Sequence, residues 1–107
     1  MNINKYQQQL LGLFEQKFQL NAEIIIQKSR ISFKKKGTRF NFFILFPNKD
    51  GFYLHLNQRF LTSEPKIDGF TDINFLNAKL YLQTEIRDET DALKTIELIS
   101  NIIIFKK

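Results

Sequence analysis

Apolar residues near the start of the chain recur every three or four positions. Ile3, Tyr6, Leu10, Leu13, Phe14 and Phe18 fall on one face, which predicts an amphipathic helix over residues 3–19. Gln7, Gln8, Glu15, Gln16 and Lys17 take its polar side, and Asn21 and Ala22 end it. The period then shortens to two. The β-branched run Ile24-Ile25-Ile26, and Ile31 and Phe33 alternating with Arg30, Ser32 and Lys34, predict strand over residues 23–34. Lys34-Lys35-Lys36-Gly37 reads as a turn in which Gly37 takes positive φ. Thr38 to Phe46 predicts a strand with Phe40, Phe42, Ile44 and Phe46 facing the core, and Arg39, Asn41, Phe43 and Leu45 facing away. Pro47 to Gly51 is a five-residue connection, with Asp50-Gly51 supplying a positive-φ position. Residues 52–57 follow as a strand, Phe52, Leu54 and Leu56 inward and Tyr53, His55 and Asn57 outward.

Residues 58–77 have no clean period. Pro65 and Gly69 interrupt them, while Phe60, Leu61, Ile67, Phe70, Ile73, Phe75 and Leu76 predict a packed loop with room for a short strand or helical turn. Alternation resumes at 78–87, with Leu80, Leu82, Thr84 and Ile86 on one face and Lys79, Tyr81, Gln83, Glu85 and Arg87 on the other. Asp88 is an N-cap, with Glu89 and Asp91 in the first turn of a helix over 89–104. Its core face is Leu93, Ile96, Ile99, Ser100 and Ile103, widened by Leu98, Ile102 and Phe105. This order predicts one α+β domain over residues 1–107. It is a two-layer arrangement, a mainly antiparallel four- to five-stranded sheet with the N- and C-terminal helices packed on one face.

Composition agrees with a folded chain. Of 107 residues, 43% are hydrophobic and 25% charged, and a chain of this length buries roughly two-thirds of its unfolded surface. There is no Cys and one His, which excludes disulfide staples, Cys-based zinc sites, thiol nucleophiles and histidine-pair chemistry. The missing Cys and the lack of a basic start followed by an apolar stretch predict a cytoplasmic protein, and no apolar run approaches membrane-spanning length.

Charge changes the picture more. The net charge is +5, yet residues 1–59 hold ten basic and three acidic side chains, whereas residues 60–107 hold six and eight. No acid lies between Glu23 and Asp50, a window containing Lys28, Arg30, Lys34, Lys35, Lys36, Arg39 and Lys49. Such asymmetry points to a polyanion or an acidic protein surface, although a solvated basic hairpin has the same composition. Alternation puts Arg30, Lys34, Arg39, Phe43, Tyr53, His55, Lys79 and Tyr81 on the sheet face away from the helices, beside the Lys34-Lys35-Lys36 turn. Rings interleaved with cations suit single-stranded RNA or DNA, because bases stack on the rings and phosphates meet the cations. The same pattern also describes an ordinary sheet whose outer rings pack beneath the long loop.

The segments Ile31-Ser32-Phe33-Lys34 and Gly51-Phe52-Tyr53-Leu54-His55-Leu56, the strand from Leu80 to Arg87 and the acid-capped last helix occur in an order that resembles a small α+β domain of unknown function. That domain is found alone or attached to predicted restriction-type nucleases and has the character of MmcQ/YjbR-type domains. The likeness covers roughly residues 23–104. It implies an α+β fold and an association with nucleic-acid defence, and it carries over no catalytic residue. A restriction-type metal site needs an Asp and a Glu-x-Lys on adjacent strands. Here Asp72 precedes Glu85-Ile86-Arg87, with Arg in place of Lys, and Glu15-Gln16-Lys17 lies on a helix. No nucleotide-binding Gly-rich loop is present. The expectation is a non-enzymatic module without cofactor or metal that binds nucleic acid, RNA favoured, or a nucleoprotein nuclease. Its alternative is a small phage-type inhibitor or accessory protein that binds a CRISPR or restriction nuclease. A homodimer formed by residues 102–105 or by an edge strand is a third reading.

Overall fold

The computed structural model describes residues 2–62, 67–72, 81–103 and 105. Lys79, Leu80, Pro65, Ile73, Phe75, Leu76 and Ile104, which the sequence reading invoked, lie outside them. The order is α1 (Lys5–Phe18), β1 (Glu23–Ile26), β2 (Ile31–Lys34), β3 (Asn41–Asn48), β4 (Gly51–Asn57), a 3-10 turn (Gln58–Phe60), β5 (Thr71–Asp72), β6 (Tyr81–Ile86) and α2 (Glu89–Ile102). The strands form one sheet in the order β1-β2-β3-β4-β6-β5, and every described pairing is antiparallel. The 58–77 segment thus contains both a helical turn and a two-residue strand. No described helix is long and apolar enough to cross a membrane.

Both helices cover the same sheet face and run parallel. Phe18, at the end of α1, meets Phe105 beyond the end of α2. Their N-termini flank one groove lined by Tyr6, Leu10, Leu13, Asp88 and Glu89. The helix-facing side carries Ile31 and Phe33 of β2, Phe43 and Leu45 of β3, Phe52, Leu54 and Leu56 of β4, and Leu82 and Ile86 of β6, all in one buried cluster with Phe14 and Phe18.

The predicted faces of β4 and β6 are therefore right, and that of β3 is reversed. Phe43 and Leu45 sit opposite Leu56 and Leu54 in the β3–β4 register, so they share the helix side. Ile44 and Phe46 sit opposite His55 and Tyr53 on the face away from the helices, where Ile44 is itself buried. Phe42 also reaches the core, through a bulge. Phe33 pairs with Phe43 and Lys34 with Asn41, which leaves Phe42 without a partner on β2. Such an extra residue lets two neighbours point to the same side. Phe42 accordingly packs on Phe60 and Phe105, while Phe43 stacks on Phe33 with ring centroids 4.4 Å apart.

Each helix presents its core stripe rotated slightly from the predicted one. In α1 the buried residues are Gln7, Leu10, Leu11, Phe14 and Phe18, and Tyr6 is 58% exposed. In α2 they are Ala92, Thr95, Ile96 and Ile99, and Leu93 is 50% exposed. Gln7 is buried because the turn between β3 and β4 lies under it. Its Nε2 donates to the carbonyls of Lys49 and Gly51 at 3.0 and 2.9 Å. Its Oε1 accepts from the Asn4 backbone N–H, and Asn4 Oδ1 accepts from the Gln7 N–H in return, closing a capping box. Gln7→Leu leaves two carbonyls and one N–H without this partner. It is expected to cost about 2–3 kcal/mol, read as a shift in the urea midpoint, because stranded buried polar groups cost more than a made bond returns.

The β3–β4 connection is also tighter than predicted. Asn48 pairs directly with Gly51, so Lys49 and Asp50 alone form the loop. Lys49, not Gly51, takes positive φ, at 54°. Gly37 does take the expected positive φ, at 74°. At α2, Asp88 Oδ1 accepts from the Asp91 N–H at 2.9 Å, with Glu89 and Asp91 in the first turn, as the sequence indicates.

Candidate nucleic-acid interface

The candidate residues divide into two places. The first is the face of the sheet away from the helices. The register there aligns Ile44 with His55, His55 with Gln83, Phe46 with Tyr53, Tyr53 with Glu85, and Asn57 with Tyr81. Tyr53, His55 and Tyr81 lie on this face as predicted, each half-buried. His55 is the centre of the group, 4.6 Å from the Phe46 ring and 6.4 Å from the Tyr81 ring. Its Nε2 lies 2.8 Å from Gln83 Oε1. An amide oxygen only accepts, so this contact suits the tautomer protonated at Nε2.

Burial lowers the His55 pKa, and the Gln83 hydrogen bond opposes this in part. At neutral pH the ring is therefore a neutral stacking surface rather than a phosphate-binding cation. A folded-state pKa below the unfolded value of about 6.5 means that the unfolded chain binds more protons as pH falls through that value. The native state should lose stability as pH drops from about 7 towards 5.5, a range above most carboxylate titration. His55→Gln should flatten that part of a plot of Tm against pH.

Around these rings the described strand neighbours are Asn48, Gln83 and Glu85, with Asn48 Nδ2 donating to Glu85 Oε2 at 3.0 Å. Among the described residues of β3, β4 and β6, none is Lys or Arg. These three strands therefore do not show the expected interleaving of rings and cations. Phe43, assigned to this face by alternation, is fully buried on the other. Its apolar neighbours on both sides made the face of β3 ambiguous, and pairing with β4 decided it.

The second place is one end of the sheet, where the turn between β2 and β3 meets the end of α1 and the 3-10 turn. Lys35 and Thr38 shape the turn, with the Lys35 N–H bonded to the Phe40 carbonyl and the Thr38 N–H to that of Lys35. Lys36 Nζ donates to the Leu20 carbonyl at 3.1 Å. Phe40 was predicted to be core. Instead it is half-buried, with the Arg59 guanidinium 4.3 Å and the Arg39 guanidinium 5.7 Å from its ring centroid. Asn57 sets the approach of Arg59, since it donates to the Asn41 carbonyl and accepts from the Arg59 N–H. The segments forming this end, 17–23, 34–41 and 57–61, carry Lys17, Lys34, Lys35, Lys36, Arg39 and Arg59 against the single acid Glu23. Glu23 pairs with Lys34 at 3.5 Å.

Lys34, Lys35, Lys36 and Arg39 are therefore brought together, and Arg59 joins them. The sequence pattern does not point to Arg59 or Phe40. Arg59 lies in the stretch without period, and Phe40 was placed inside by its alternation. Arg30 sits at the opposite end of β2, about 13 Å of strand away, where its Nε donates to Gln27 Oε1. The far end of the molecule is mixed in charge. A groove of about 660 Å³ opens there between the helix N-termini, with Asp50, Asp88 and Glu89 at its rim and Arg87 beside them. Arg87 Nε donates to Asp91 at 3.0 Å, and this bond raises the Arg87 pKa and lowers that of Asp91. Comparison with protein families, curated proteins and solved structures finds no match for this chain.

Proposed function

We propose that this protein is a non-enzymatic module that binds the phosphate backbone of a single-stranded nucleic acid, RNA favoured, at its basic end. The observation that carries this reading is the pair of guanidiniums on the half-buried Phe40 ring, set beside the Lys34-Lys35-Lys36 turn. An Arg resting on a ring has its side chain pre-positioned, while its N–H groups stay free to meet phosphate oxygens. Lys34 shares the sheet face away from the helices with Tyr53, His55 and Tyr81, so a strand leaving the basic end would run towards those rings. Those rings suit stacking and favour unpaired bases over a duplex. RNA held by a nuclease, as in a CRISPR ribonucleoprotein, presents the same chemistry. An inhibitor acting on it through this surface needs no catalytic group.

Fluorescence anisotropy with a labelled single-stranded RNA tests the reading. Affinity should fall steeply with salt, and each phosphate contact removed should lower the logarithmic salt slope by about 0.7. The variant Lys35→Glu/Lys36→Glu/Arg39→Glu should weaken binding by at least about tenfold at low salt, and adding Arg59→Glu should weaken it further. Equal affinity of the variant and the native protein would reject the assignment.

A further inference from the structure

We propose that β1 is a homodimerisation edge, across which two copies of this chain pair antiparallel about a two-fold axis at Ile25. Among the described residues β1 has one neighbour, β2, and its other edge is open. The Gln27 N–H bonds to the Arg30 carbonyl at 2.8 Å, which fixes the hydrogen-bond parity of the hairpin. Gln27, Ile25 and Glu23 turn their backbone groups towards β2. Ile24 and Ile26 turn theirs outward. The edge therefore offers two N–H groups and two carbonyls, between three consecutive β-branched residues.

Edge strands are ordinarily protected by Lys, Pro, a bulge or an inward charge. Residues 24–26 have none of these, and Ile26 is 55% exposed. The occupant that fits is a second copy, because Ile24-Ile25-Ile26 reads the same when reversed and is flanked by Glu23 on one side and Gln27 on the other. With Ile25 opposite the partner's Ile25, Ile24 lies opposite the partner's Ile26. These are the residues whose outward groups can exchange four backbone hydrogen bonds. Each face then continues from one sheet into the next.

The charges match as well. In this register Glu23 lies opposite the partner's Gln27, whose side chain holds Arg30 in this structure at 2.9 Å. The carboxylate keeps Lys34 on its own side and gains a cation across the seam. An unrelated extended peptide would satisfy the backbone but bring neither the Ile–Ile pairs nor these polar ends into register.

The inference is independent of the nucleic-acid reading, and salt separates the two. Two copies of net charge +5 repel, so pairing strengthens as salt screens them, whereas nucleic-acid bridging weakens. The test uses nuclease-treated full chain in about 0.5 M salt, where surface charge is strongly screened. Sedimentation should show a concentration-dependent rise from the 12.8 kDa monomer towards twice that mass. Ile26→Pro removes an outward N–H and no internal bond, and should hold the protein at monomer mass with unchanged circular dichroism. Should the Pro variant fail to fold, Ile26→Lys is expected to give the same result.

Since the chain has no Cys, Ile25→Cys introduces a single thiol that faces its own copy across a non-hydrogen-bonded pair. Cα atoms in such a pair lie about 4.5 Å apart, within disulfide range. Mild oxidation should convert that variant to a covalent dimer much faster than it converts Leu20→Cys, although Leu20 is far more exposed. Monomer mass at millimolar concentration, a dimer that Ile26→Pro and Ile26→Lys leave intact, or equal cross-linking at positions 20 and 25 would each overturn the proposal.

Discussion

Gly51→Ala should destabilise the protein by about 3 kcal/mol or more, the largest loss expected from adding a methyl group at any of its four glycines. A Cβ at Gly51 would overlap the carbonyl oxygen of Ile86 and come within 3.0 Å of its carbonyl carbon and 3.2 Å of Arg87 Cα. All three are backbone atoms, so no side-chain rotation relieves the overlap, and β4 must move away from the end of β6. The same residue ends the two-residue turn that Gln7 clasps, which extends the damage to the seat of α1. Thermal melts should show Tm lowered by at least about 12 °C for a domain of this size. Two other glycines calibrate the measurement. Gly37 has open space but φ of 74°, so Gly37→Ala should cost only about 1 kcal/mol. Gly12 is helical with nothing within 4 Å, so Gly12→Ala should stabilise by about 0.5–1 kcal/mol. A Gly51→Ala protein as stable as Gly37→Ala would show that β4 does not approach β6 as described.

Phe43→Ala is expected to cost about 3–5 kcal/mol, a large share of the 5–15 kcal/mol typical of a domain. Phe43 is fully buried, stacked on Phe33 and edge-on to Phe18 at 5.3 Å, with Phe14 at 5.9 Å. Removing its ring leaves a cavity lined by three other rings, which are anchored in α1 and β2 and cannot close on it. Tyr53→Ala, half-buried on the face of the neighbouring strand away from the helices, should cost about 1 kcal/mol or less by comparison. Urea unfolding of both variants reads this difference directly. It also separates packing from ligand contact, because a loss of RNA binding by Phe43→Ala would follow unfolding, whereas a loss by Tyr53→Ala would occur in a folded protein. Near-equal unfolding costs for the two variants would mean that the faces of β3 are assigned wrongly.

The error over Phe43 shows how far the sequence is readable. β4 alternates apolar with polar residues, so its faces follow from composition alone. β3 is apolar on both sides from Phe42 to Phe46, so its pattern supports either face, and a shift of one residue exchanges them all. Its residue type places Gln7 on the surface, because glutamine is usually exposed, but a turn about forty residues away offers it two carbonyls. Alternation with Phe42 assigns Phe40 to the core. The bulge at Phe42 breaks that alternation and leaves Phe40 beside two arginines.

By itself the sequence determined that this is one α+β chain with a helix towards each end, how the faces of β4 and β6 alternate, that Asp88 caps the last helix, and that basic charge gathers in the first half. These are local properties: side-chain periodicity, backbone preference and charge count. The tertiary structure alone decided which face of β3 is buried, that Gln7 is internal, and that Arg59 joins Lys34, Lys35, Lys36 and Arg39 around Phe40. It also decided that the aromatic face and the basic end are separate surfaces. Each of these depends on strand register, a bulge or the meeting of distant segments, and pairing energies across the sheet set them rather than any preference within a short stretch of chain.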